Sequence, residues 1–506
     1  MNSTYAPRDT KFVVFGADGD LARRKGLPTF YKLSRQGRLP ENFKILGAGL
    51  SEMTDADFRN MAKTSTRTLA ADLPFDEASW ERFAQRLHYR RVDVTNSESV
   101  SQIKEGLKKL YGGQAIGDHT VFYLSTPPSI YGQAVESLVA NGLVERKAGD
   151  DQWPKLVLEK PFGNGLAAAE RLDDLLHGSF SERQIYRVDH YLGKHSVENI
   201  LALRFLDGRY EHLWNRRFIQ SIRIVVAETD GVGQRAIFYD HDGGALRDMV
   251  QSHLLQLLSS LLMEKPQSLV DPEAINAEKT SILQALRPID PRHVDESVVA
   301  GQYGPGTVGE KTLLGYRQES NVAALSMVET FAAMKVFVDT ETWNGVPVFM
   351  CTGKRLGGRL GYIVVKFFKS AQEQAAGSSL PSVEDGQISS NTPEAIVFHI
   401  QPETHISVRM QEKAGSPNEL RLNASDCNSP ATVDAGPETG YENIMLDVAS
   451  GNRSRFSSSA FNRASWRFLG PILAGIRQQQ QAFPNYRAGS WGPLEARRLV
   501  ANAGNR

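Results

Sequence analysis

The densest group of chemically versatile side chains lies in mid-chain, in the stretch RVDHYLGKH. Its charged, imidazole and phenol side chains belong to Arg187, Asp189, His190, Tyr191, Lys194 and His195. An amphipathic helix is predicted directly afterwards from Val197, Ile200, Leu201 and Phe205, with Ser196 as a candidate N-cap. A cationic, hydrogen-bonding cluster in front of a helix suits a phosphate monoester. The alternative is a solvated loop that joins two domains.

A second polar feature is a narrow stripe in a leucine-rich helical segment. His253, Gln256 and Ser260 recur there at helical spacing. A histidine oriented by a carboxylate is the simplest general base near neutral pH. Asp189 and Asp248 are both candidates for that carboxylate, and a core histidine bonded to a carbonyl is the alternative.

The third feature is the glycine turn GADGDLA, which follows the first β-rich run. Gly16, Gly19 and Ala22 stand at three-residue steps, so that the backbone can approach a pyrophosphate whose charge is favoured by the next helix N-terminus. A glycine turn also joins strands to helices for purely structural reasons.

The end of the second predicted strand bears on the choice between NAD and NADP. A basic residue near this point suits the 2′-phosphate of NADP, whereas an acidic residue suits NAD. The sequence places Leu50 and Ser51 there, followed by Glu52. Substitute cations could come from the first predicted helix, which carries Arg23, Arg24 and Lys25. The alternative is that these three residues form a solvated basic face.

The elements around these features predict two domains. Short β-rich runs such as KFVVFG, FKILG and HTVFYLS alternate with helical patterns, which predicts an α/β, Rossmann-type doubly wound dinucleotide-binding domain over residues 1–190. From about Ser221, strand-like runs dominate. They predict a larger α+β substrate domain with a mostly antiparallel sheet over residues 191–506.

The composition excludes several classes of function. The 506 residues include 58 Lys and Arg against 58 Asp and Glu, so we expect neither nucleic-acid nor membrane binding. The two cysteines, Cys351 and Cys427, provide neither a disulfide framework nor metal-ligand spacing. We expect a cytoplasmic protein, because no leader pattern is visible. The segment 370–392 is rich in Ser, Gln, Gly and Ala and is predicted to be a surface loop.

Taken in order, these motifs resemble the glucose-6-phosphate dehydrogenase family over nearly the whole chain. GADGDLARRKGLP is similar to its nucleotide fingerprint, YLSTPP and LEKPFG to its later Rossmann segments, and RVDHYLGK to its substrate loop. RDMVQSH, VETFAAMKVFVD and GVPVFMCTGKRL resemble segments of its second domain.

The resemblance implies oxidation of glucose 6-phosphate at C1 to 6-phosphoglucono-δ-lactone, with NADP or NAD as the hydride acceptor and without a metal. It makes His253 the general base and Asp189 the carboxylate that orients it. Substrate contacts are implied for Lys160, His190, Tyr191, Lys194, Glu228, Asp248, Lys354 and Arg359. Cofactor contacts are implied for Gly16, Gly19, Asp20, Leu21, Arg23, Ser51, Tyr123, Thr126, Pro127 and Lys160.

Two departures from the family pattern concern the dinucleotide. Leu50 stands where the family commonly has the arginine that meets the 2′-phosphate, and Asp18 adds a carboxylate whose side chain we expect to point away from the pyrophosphate. The family assembles as homodimers or homotetramers. Two further functions stay open: an NAD-linked dehydrogenase of a related or modified hexose phosphate, and a catalytically silent sugar-phosphate sensor.

Overall fold

The structure, a computed structural model, divides into two compact units. It describes residues 10–69, 75–111, 119–144, 153–308, 310–369, 393–410, 419–422, 440–479 and 481–501. The first unit comprises Met1–Lys194, Ser268–Asn276 and Asp434–Asn462, and the second comprises His195–Gln267, Ala277–Val433 and Arg463–Arg506.

A seven-stranded sheet forms the centre of the first unit. From edge to edge its strands are Phe456–Ser457, Ile185–Val188, Lys155–Glu159, Thr120–Leu124, Lys11–Phe15, Lys44–Gly49 and Leu87–Arg91. All pairs are parallel except the one at Phe456–Ser457. The strand order reverses between Lys11–Phe15 and Thr120–Leu124, and ligands of doubly wound sheets bind at such a reversal.

Helices cover both faces of this sheet. The α-helices are Leu27–Arg35, Asp55–Leu69, Glu77–Ala84, Ser97–Tyr111, Tyr131–Ala140, Leu166–His177 and Tyr441–Ser450, with short 3-10 turns at Pro128–Ile130 and Glu182–Gln184. The strand Lys11–Phe15 contributes Phe12 and Val14 to one core cluster and Val13 and Phe15 to another. Because successive strand residues point to opposite faces, the apolar run from Phe12 to Phe15 is buried on both.

The second unit contains an eight-stranded sheet. Its strands, in order, are Glu419–Leu422, His405–Met410, Pro393–Gln401, Leu360–Phe367, Ile219–Ala227, Val348–Gly353, Phe331–Val336 and Val298–Gly301. Each neighbouring pair is antiparallel except Ile219–Ala227 with Val348–Gly353. Smaller pairings join Gly306–Val308 to Lys311–Leu313 and Tyr303–Gly304 to Tyr486–Arg487.

In the described part of the chain, three helical segments are π-helical, with hydrogen bonds that span five residues: Ala22–Gly26, Ala202–Asp207 and Leu246–Leu254. The α-helices of the second unit are His195–Leu201, Ala236–His241, Leu255–Leu262 and Leu494–Ala501, while Pro272–Gln284 and Ser459–Gln478 have residues in both units. Short 3-10 turns lie at Glu211–Leu213, Gly233–Arg235, Pro291–Glu296 and Tyr316–Gln318. The helix predicted after the polar stretch begins at His195, so Ser196 lies inside it.

The predicted fold class is confirmed in both units. The boundaries of the two units differ from the predicted single boundary at residue 190, because two later segments of the chain belong to the first unit. Tyr441–Ser450 packs into its core, where Lys155 Nζ donates to the Val448 carbonyl at 2.6 Å. Residues 370–392 and Cys427 lie outside the described residues. In the part of the chain that the structure describes, no helix has the length and hydrophobicity to cross a membrane.

Candidate active site

The glycine turn brings the ends of two neighbouring strands together. Gly16 has φ +72°, and a Cβ on it would lie 2.5 Å from the Ser125 carbonyl oxygen, so the position requires glycine. Gly19 N–H donates to the Gly16 carbonyl at 2.9 Å, and Arg23 N–H to the Gly19 carbonyl at 3.1 Å. The turn therefore leads directly into the helical segment that begins at Ala22.

The polar atoms at this place fit a dinucleotide. Among the described residues, the Ser125 and Thr126 hydroxyl oxygens are buried without a hydrogen-bond partner. A buried hydroxyl without a partner is costly, so a polar ligand group beside Gly16 would satisfy it. The Tyr123 side chain is instead buried in the core, where its hydroxyl donates to Glu159 at 2.6 Å.

The remaining predicted cofactor residues of the turn are mostly exposed. Asp20 forms a 3.6 Å surface ion pair with Arg24, and Arg23 also faces solvent. Leu21 is half-buried, and Pro127 is exposed just after the strand Thr120–Leu124. Their placement at the carboxyl end of the sheet agrees with the general position of nucleotide sites in this fold class.

The loop from Asp189 to Lys194 is a tight polar turn at the end of the first unit. The Asp189 carboxylate accepts the Tyr191 N–H at 3.0 Å, and Lys194 N–H donates to the Tyr191 carbonyl at 3.1 Å. Lys194 Nζ lies 4.1 Å from the centre of the Tyr191 ring. The half-buried His190 ring stacks on Tyr441, with centres 6.2 Å apart. A carboxylate, an imidazole, a phenol and an ammonium thus share one short loop.

The helix Tyr441–Ser450 supports this loop from a distant part of the sequence. Asn443 Nδ2 donates to the Gly193 carbonyl at 2.9 Å. A Cβ on Gly193 would collide with the Gly440 carbonyl, so the two backbones meet closely. Neither Gly440 nor Asn443 was predicted as a site residue.

Glu159 is a buried carboxyl next to Tyr441, and it was not predicted from the sequence as a site residue. It accepts hydrogen bonds from Tyr123 and from Tyr441, the latter at 3.3 Å, and directly precedes Lys160. Burial raises the pKa of Glu159 to about 7, although both hydrogen bonds and the Lys160 charge lower it and Asp189 raises it further. The charges of two predicted site residues, Lys160 and Asp189, therefore act on the Glu159 carboxyl.

Arg187 does not belong to the cationic cluster. Its side chain is fully buried and bonded to Asp173 at 2.6 Å and Glu182 at 2.9 Å. Its charge is consequently neutralised inside the first unit. His195 begins the second unit and contacts Glu198 at 2.7 Å.

Predicted substrate residues of the second unit form ion pairs. Lys354 Nζ lies 2.7 Å from Glu228 Oε2, and Arg235 lies 3.2 Å from Asp248. Three of the four were predicted substrate residues, whereas Arg235 was not. Arg359 is exposed just before the strand Leu360–Phe367.

His253 is buried in the π-helical segment Leu246–Leu254, which also carries Asp248. The predicted stripe continues into the next helix, where Gln256 and Ser260 are each 1% exposed. Among the described residues, Gln256 Oε1 and Ser260 Oγ have no hydrogen-bond partner. A π turn inside a helix frequently marks a functional site, and no sequence signal had predicted it here.

Comparison with known proteins decides the family. Residues 13–199 match the NAD binding domain of glucose-6-phosphate dehydrogenase, and residues 201–506 match the C-terminal domain of glucose-6-phosphate dehydrogenase. The chain belongs to the glucose-6-phosphate dehydrogenase family.

Similar relatives extend over nearly the full length of this glucose-6-phosphate dehydrogenase family member. A glucose-6-phosphate 1-dehydrogenase of Aggregatibacter actinomycetemcomitans is 36% identical over 97% of this chain and 96% of its own. One from Bacillus subtilis is 35% identical, also over 97% and 96%. A solved glucose-6-phosphate dehydrogenase in complex with glucose-6-phosphate has a TM-score of 0.82 at 29% identity, over 98% of this chain and 97% of that one.

Proposed function

We propose that the chain oxidises glucose 6-phosphate at C1 to 6-phosphoglucono-δ-lactone, with NADP or NAD as the hydride acceptor. The observation that carries the proposal is the loop Asp189–Lys194, in which Lys194 Nζ is held 4.1 Å from the Tyr191 ring beside the His190 imidazole. Relatives that match 97% of the chain are named for this activity.

The loop supplies groups for the 6-phosphate. An ammonium and an imidazole make charge-assisted hydrogen bonds to phosphate oxygens, and the Tyr191 hydroxyl adds a neutral donor. We assign this contact to Lys194, His190 and Tyr191. Lys160, at the end of the strand Lys155–Glu159, is a further cation for the sugar or the dinucleotide.

The paired charges of the second unit suit a sugar. A sugar hydroxyl group both donates and accepts hydrogen bonds. Glu228 offers it an acceptor and Lys354 a donor, and the two side chains lie 2.7 Å apart. Asp248 adds a second acceptor, and Arg359 is assigned a weaker contact because it is exposed.

Proton removal is assigned to His253. The bound dinucleotide supplies the acceptor for the hydride that leaves C1. His253 takes the proton of the C1 hydroxyl, which leaves the lactone carbonyl, and Asp189 orients the imidazole. The choice of Asp189 over Asp248 follows the family resemblance; Asp248 forms a 3.2 Å ion pair with Arg235.

The residues of the glycine turn would hold the dinucleotide. Gly16 and Gly19 allow its pyrophosphate to approach the backbone, and the Ser125 and Thr126 hydroxyls offer it donors. The other predicted contacts are Asp20, Leu21, Arg23, Ser51, Tyr123 and Pro127, of which Tyr123 could contribute only its backbone because its side chain is buried.

The test is to mix the purified chain with glucose 6-phosphate and either dinucleotide, and to follow the near-ultraviolet absorbance of reduced nicotinamide. Unphosphorylated glucose is the control, since it lacks the group that the loop binds. We expect rapid reduction with glucose 6-phosphate and little with glucose. Binding of both ligands without reduction on any hexose phosphate would support a sensor instead, and faster reduction with another hexose phosphate would reassign the substrate.

We further propose a cytoplasmic homodimer or homotetramer, on the family resemblance and the small number of cysteines. Sedimentation of the purified chain measures the assembly. A monomer at micromolar concentration would contradict it.

A further inference from the structure

A carboxylate from the glycine turn reaches the end of the second strand. Asp18 lies between Gly16 and Gly19, and its Oδ2 accepts the Ser51 N–H at 2.8 Å. Ser51 follows the strand Lys44–Gly49 by two residues. A Cβ on Gly49 would collide with the Asp18 carboxylate, so glycine at this position permits the approach.

This position determines which dinucleotide a doubly wound domain prefers. The group on the 2′ carbon of the adenosine ribose lies at the end of the second strand, where a carboxylate accepts a hydrogen bond from a 2′-hydroxyl. A 2′-phosphate carries a charge of about −1.5 to −2 near neutral pH and would be repelled by the same carboxylate. The Ser51 N–H occupies Asp18 Oδ2, and each carboxylate oxygen has further acceptor capacity.

The charges around the strand end favour the carboxylate. Leu50 is 67% exposed and supplies no cation. Arg91 ends the neighbouring strand opposite Gly49, while the Tyr89 hydroxyl donates to the Ser51 carbonyl at 2.9 Å. Burial is the main cause of the raised pKa of Tyr89. The Asp18 charge raises this pKa further, by more than the Arg91 charge lowers it. The negative charge therefore outweighs the positive one at this phenol.

We infer that Asp18, held by the Ser51 N–H, makes this chain select NAD over NADP. The inference rests on the proposed function only in requiring a dinucleotide at the glycine turn. It assigns to the turn a second task, recognition of the ribose, in addition to its close approach to the pyrophosphate.

Isothermal titration of the full chain with NAD and with NADP tests the inference by binding alone. We expect NAD to bind at least about tenfold more tightly, since like charges a few ångströms apart near a protein surface interact by more than the thermal energy. Asp18→Asn keeps the size and an acceptor for the Ser51 N–H but removes the charge. It should strengthen NADP binding about tenfold and change NAD binding by less than about threefold.

Glu52→Gln is the matched control, because it removes an equal charge from the exposed neighbour of Ser51. It should leave the ratio of the two affinities unchanged. Equal or tighter NADP binding by the unmodified chain, an unchanged ratio in Asp18→Asn, or an equal change in Glu52→Gln would each overturn the inference. Binding without turnover would contradict the proposed function alone, whereas binding of neither dinucleotide would contradict both.

Discussion

Replacement of Glu159 by glutamine should change how stability depends on pH. The buried Glu159 carboxyl has its pKa raised from an ordinary 4.5 to about 7, chiefly by burial. Between these values the folded chain binds more protons at this carboxyl than the unfolded chain does, so stability falls as pH rises through the window. The cost of ionisation is complete above about pH 7.

The size of the effect follows from the two pKa values. One pKa unit corresponds to about 1.4 kcal/mol, so the Glu159 contribution should fall by about 2 to 3 kcal/mol between about pH 5 and about pH 8. Glu159→Gln keeps the shape and an acceptor for the 2.6 Å bond from Tyr123 but does not titrate. The variant should therefore become more stable relative to the unmodified chain as pH rises.

Urea unfolding at several pH values, followed by circular dichroism under reversible conditions, measures this difference. Glu105→Gln is the control, because Glu105 is an exposed carboxyl paired with Lys108 on a helix surface. Comparison of the two variants separates the effect of burial from the loss of one carboxyl group. A difference between Glu159→Gln and the unmodified chain that stays constant from acid to mildly alkaline pH would refute the reasoning.

Three further predictions concern the surroundings of the site. Gly16→Ala should abolish dinucleotide binding in a titration, because its Cβ would lie 2.5 Å from the Ser125 carbonyl. Gly37→Ala, with φ +65° and open space around the Cβ, should cause backbone strain only and leave binding intact; equal effects would contradict the close-approach argument. Lys194→Ala should raise the dissociation constant of glucose 6-phosphate about tenfold to a hundredfold by removing a charge-assisted contact, with little change in dinucleotide affinity. Lys354→Met should raise KM for the sugar, because it removes the 2.7 Å partner of Glu228. An unchanged KM would exclude Lys354 from sugar binding.

Local patterns in the sequence predicted most of the fold. The alternation of apolar runs and helices predicted the doubly wound unit, because strands buried on both faces are predominantly apolar. The glycine turn was predictable because Gly16 carries its conformational requirement in its own residue type. The polar loop was predictable because its residues are adjacent in the chain.

Contacts between distant segments were not predictable. Nothing near Glu159 in the sequence indicates that Tyr441 donates to it, since 282 residues separate them. The same holds for Asp18 and Ser51, which are 33 residues apart. The π-helical form of Leu246–Leu254 was also missed, because its apolar spacing resembles that of an ordinary helix.

The assignment of His253 as the general base is tested most directly by His253→Asn, with turnover and ligand binding measured on the same preparation. A positioned base contributes about 10²- to 10⁴-fold to the rate. We expect kcat to fall by about that factor while titration shows glucose 6-phosphate and dinucleotide bound within about threefold of their original affinities. Turnover within about tenfold of the unmodified chain would contradict the assignment.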